Sequence, residues 1–113
     1  MINNNKIYFG YGTILIIPDI CGLSLQHIKP PQKIGPIESE EGIEFGKKIT
    51  FTDFTALCKL LNQINKVNIL EVEQIFTIGK YEIIFPAGAD QSLSILRKAV
   101  NRAISNLTLA SAC

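Results

Sequence analysis

The sequence predicts an α+β fold: a mostly antiparallel sheet of four to six strands with two helices on one face. Three observations predict it. Several short runs carry apolar residues at every second position, two later stretches repeat apolar residues at spacings of three and four, and Gly79-Lys80 joins two β-branched runs as a hairpin turn would. With 113 residues the chain can bury one core, so it reads as a single domain, 1–113.

Taken in order, residues 1–5, "MINNN", are polar and expected to be a disordered N-terminus. The run "KIYFGYGTILII", 6–17, is rich in aromatic and β-branched residues, and Gly10 and Gly12 within it allow one bent strand or a short hairpin. "GLSLQHI", 22–28, alternates as a short strand. Residues 29–42, "KPPQKIGPIESEEG", have the prolines, glycines and acidic residues of a mobile surface loop. In "GIEFGKKITF" the alternation puts Ile43, Phe45, Ile49 and Phe51 on one side.

A helix then starts at Thr52 or Asp53, either of which can cap it. It runs to about residue 66 with Phe54, Leu57, Cys58, Leu61, Ile64 and Val67 as its apolar stripe. "ILEVEQIFTIGKYEIIF", 69–85, reads as the hairpin. After Pro86, Asp90 or Ser92 opens a second helix over 91–107, with Leu93, Leu96, Val100, Ala103 and Leu107 on its buried line. Leu57, Leu61, Leu96 and Val100 should share one core. The stretches "IEF-GK-KITF-TD-helix" and "IFTI-GK-YEIIF-PAGADQ-helix" also have the same order, which allows two β-hairpin-helix units, each unable to bury its apolar face alone.

Composition narrows the function classes. A net charge of +1 creates no whole-molecule field for nucleic acid or an anionic membrane, and no apolar run approaches a membrane span. The N-terminal run, broken by glycines and ended by Pro18 and Asp19, reads as a strand and not as a signal peptide. Cys21, Cys58 and Cys113 are an odd set at wide spacing, unlike a disulfide framework or a zinc site, and imply a reducing compartment, cytoplasm or virion.

No motif supplies catalytic chemistry, and no cofactor or metal is expected. His27 is the single histidine and has only Cys21 nearby in sequence, with nothing to orient it as a base. Glu38, Glu40, Glu41 and Glu44 lack the ligand alternation of a calcium loop. "FGKKIT" and "IGKYEI" lack the glycine spacing and the hydroxyl after Gly-Lys that a phosphate loop requires, so turn chemistry explains them.

What is distinctive is a surplus of apolar positions. Ile14 and Ile16 alternate with Leu15 and Ile17, and Ile75 and Ile84 are matched by Phe76, Ile83 and Phe85 on the other alternation. Strands buried on one face should not look like this. The sequence therefore points to a non-enzymatic structural or protein–protein interaction subunit, a homo-oligomer or a partner of another protein. Its interface is expected at Tyr8, Phe9, Tyr11, Ile14 and Ile16, through strand addition or sheet stacking. Heavy use of Ile, Asn and Lys hints at an AT-rich genome and makes a bacteriophage virion or assembly component the specific expectation. The alternative is an accessory module that binds nucleic acid or another anionic partner through Arg97, Lys98 and Arg102 on the second helix.

Overall fold

The computed structural model describes residues 5–9, 13–19, 22–28 and 48–112. These form β1 (Lys6–Tyr8), β2 (Thr13–Asp19), β3 (Gly22–Ile28), β4 (Lys48–Phe51), α1 (Phe54–Asn65), β5 (Gln74–Ile78), β6 (Tyr81–Phe85) and α2 (Asp90–Ala112). The class is α+β. The strands make two three-stranded sheets where a single sheet was expected: β1-β6-β5, and β2-β3-β4. In the first, β1 runs parallel to β6 with Ile7 opposite Ile83, and β5 and β6 form the expected hairpin around Gly79-Lys80. The second is antiparallel throughout, with Leu25 opposite both Ile16 and Ile49.

The division arises between β1 and β2. The Phe9 N–H donates to the Ile84 carbonyl at 2.8 Å, and the Phe9 ring stacks on Phe85 with centroids 4.2 Å apart. That anchors the end of β1 in the first sheet, while β2 is paired along its whole length with β3. Residues 6–17 are thus neither one bent strand nor a hairpin. Of the two hairpin-helix units, only β5-β6-α2 has its hairpin among the described residues; β4 pairs with β3, and residues 43–47 lie outside them. Residues 1–4 and the loop 29–42 lie outside them as well, whereas the Asn5 carbonyl accepts from Glu82 N–H at 2.8 Å.

Asp53 caps α1, its Oδ1 accepting from Thr55 N–H at 3.1 Å. The buried residues of α1 are Leu57, Leu60 and Ile64. Leu61, expected in the core, is half-buried, and Phe54 is 46% exposed. Spacings of three and four fit Leu57-Leu60-Ile64 and Leu57-Leu61-Ile64 equally well, and only docking selects the first. The line of α2 is as expected at Leu93, Leu96, Val100 and Ala103, with Ala99 added and Leu107 packed at the edge.

The two helices do not share one sheet face as principal support. α1 lies against β5 and α2, while α2 lies against β2 and β3. One apolar core joins everything, from Ile7, Phe76 and Phe85 of the first sheet to Leu23, Leu25 and Phe51 of the second. Two small sheets become one unit because both helices wedge into that shared core.

Candidate functional site

The site is built on β2, the outer strand of the second sheet among the described residues. Only two residues separate Asp19 from Gly22, its partner, so the pairing is tight and its register is set. Pro18 has no N–H to give to β3. The odd-numbered residues therefore exchange backbone bonds with β3, and Ile14, Ile16 and Pro18 turn their backbone polar groups away from it. Side chains alternate the other way, across the sheet faces. Ile14 and Ile16 pack against the core, while Leu15 and Ile17 project outward, 42% and 41% exposed. Next to them Ser24 and Thr50 share a hydrogen bond of 2.9 Å on the same outer face, with Ser24 buried.

Gly22 makes the close approach possible. Its φ of 137° is open to glycine, and a Cβ there would overlap the Phe51 carbonyl.

The edges of the described sheets are blunted by different devices, and on β2 Pro18 withholds one outward donor. β1 is three residues long and carries Lys6, and β4 carries Lys48. Short strands and lysines discourage pairing with another chain. β5 is protected by a side chain: Gln63 of α1 donates from Nε2 to the Thr77 carbonyl and accepts at Oε1 from the Thr77 N–H, both at 2.8 Å. An amide side chain there occupies the place of a neighbouring strand. Among the described residues nothing comparable sits along β2, which is seven residues long and apolar from Ile14 to Ile17.

The residues expected at the interface are distributed over both sheets. Phe9 is buried in the core, Tyr8 is half-buried in β1 opposite Ile84, Ile14 and Ile16 face inward on β2, and Tyr11 lies outside the described residues. The outward pair Leu15 and Ile17 was legible as the second alternation, but which alternation faces out depends on the side that α2 covers.

The basic residues of α2 also separate. Arg97 is half-buried, and its Nη2 donates to the Ile64 and Val67 carbonyls at 3.4 and 3.1 Å, satisfying the C-terminal end of α1. Lys98 and Arg102 are exposed one turn apart. Nothing in the hydrophobic pattern marks Gln63 or Arg97 for these tasks, because both bonds cross between elements far apart in sequence.

Among the described residues no group of three His, Cys, Asp or Glu side chains is placed to hold a metal, and no helix is long and apolar enough to cross a membrane. Cys58 is half-buried and free. Cys21, Cys113, the glutamates at 38, 40, 41 and 44, and the Gly46-Lys47 pair lie outside the described residues, and His27 takes its place in β3 opposite Ile14. Gly79, at φ 59°, and Lys80 make the hairpin turn. Beside that turn is an open cleft of about 280 Å³ between the start of α1 and the β5–β6 turn, lined in part by Phe51, Asp53, Lys80 and Tyr81. Its carboxylate is already engaged as the cap of α1, and its two rings pack edge to face at 5.5 Å.

Comparison of the chain with protein-family models, with curated proteins and with solved structures finds no match in any of the three.

Proposed function

We propose that the protein is a non-enzymatic interaction subunit that works by associating with copies of itself. The observation that supports this reading is β2, which has one strand neighbour among the described residues and carries Leu15 and Ile17 exposed on its outer face. Exposed apolar side chains carry a free-energy cost in water that a second protein surface removes. An assembly role, in the cytoplasm or as a component of a bacteriophage virion, is the setting that fits such a subunit and the Ile, Asn and Lys usage of the chain. Sedimentation equilibrium at micromolar concentration tests it: a defined oligomer is expected, and a concentration-independent monomer would refute self-association.

A further inference from the structure

We draw no further inference here: the strongest candidate, the open cleft between the start of α1 and the β5–β6 turn, has its Asp53 carboxylate engaged as the cap of α1 and its Phe51 and Tyr81 rings packed on each other, and nothing in the structure shows what fills it.

Discussion

The two sheets solve the same problem to different extents. In the first, β6 lies between β1 and β5, Phe85 stacks on Phe9 and meets Phe76 edge to face at 5.7 Å, and the β5 edge is occupied by Gln63. In the second, Leu23 and Leu25 are as deeply buried, yet the outer strand keeps two large apolar side chains in solvent and its backbone edge unpaired by any described strand. Equal burial of the inner faces gives both sheets their stability. The edges differ in that Gln63 engages Thr77 of β5, although Ile75 on the same strand is half exposed, so association and stability should respond to different substitutions.

The largest expected effect breaks the first sheet. Phe85→Ala removes the ring at the centre of the aromatic cluster and should cost about 3–5 kcal/mol, measured by urea denaturation, with Leu25→Ala in the second sheet close behind at about 2–5 kcal/mol. A cost under about 1 kcal/mol for either would place that sheet outside the shared core. Leu60→Ala belongs with these two, and Leu61→Ala should cost clearly less because its side chain is only half-buried.

Arg97→Leu comes next. It removes the side-chain donor from the Val67 carbonyl, and one of several donors from the Ile64 carbonyl, which also accepts from the Val67 N–H, and should cost about 1–3 kcal/mol, whereas Lys98→Ala and Arg102→Ala should stay within about 0.5 kcal/mol. Equal, negligible costs at all three positions would mean that Arg97 is a free surface cation. The same variants address the alternative reading. If α2 bound nucleic acid through phosphate contacts, K98A/R102A should lower the salt slope of binding by about two units. Filter binding at low salt with unmodified protein should instead detect no complex.

Gly22→Ala sharpens the comparison from the second sheet. The backbone conformation and the approach of the Phe51 carbonyl both disfavour a side chain, and a loss above about 1 kcal/mol is expected in thermal melts. Gln63→Ala should cost only about 1 kcal/mol, but it should speed hydrogen exchange at the Thr77 amide and open the edge of the first sheet. Light scattering should then show species larger than those of the unmodified protein. An unchanged Thr77 exchange rate would show that the amide bonds do not guard that edge.

Much of the chain's local structure was legible because it is written in periodicity and punctuation. The spacing of Leu93, Leu96, Val100 and Ala103 specified a helix and its buried line, Asp53 marked a helix start, and Gly79-Lys80 between two alternating runs marked a hairpin. In each case the signal lies within a few residues of what it determines. The division into two sheets was not legible, because alternation says that a strand has two faces but not which strand it joins; Phe9 had to stack on Phe85 before β1 and β2 parted company. For the same reason the sequence could show apolar residues on both alternations of β2 without saying that Leu15 and Ile17, and not Ile14 and Ile16, face outward. Gln63 on the β5 edge and Arg97 on the end of α1 are polar side chains on amphipathic helices in the sequence, and only the packing of α1 against β5 and α2 gives them partners. Local propensity determined the elements; the long-range contacts that cover one face of each sheet and engage Thr77 at the β5 edge were decided by tertiary packing.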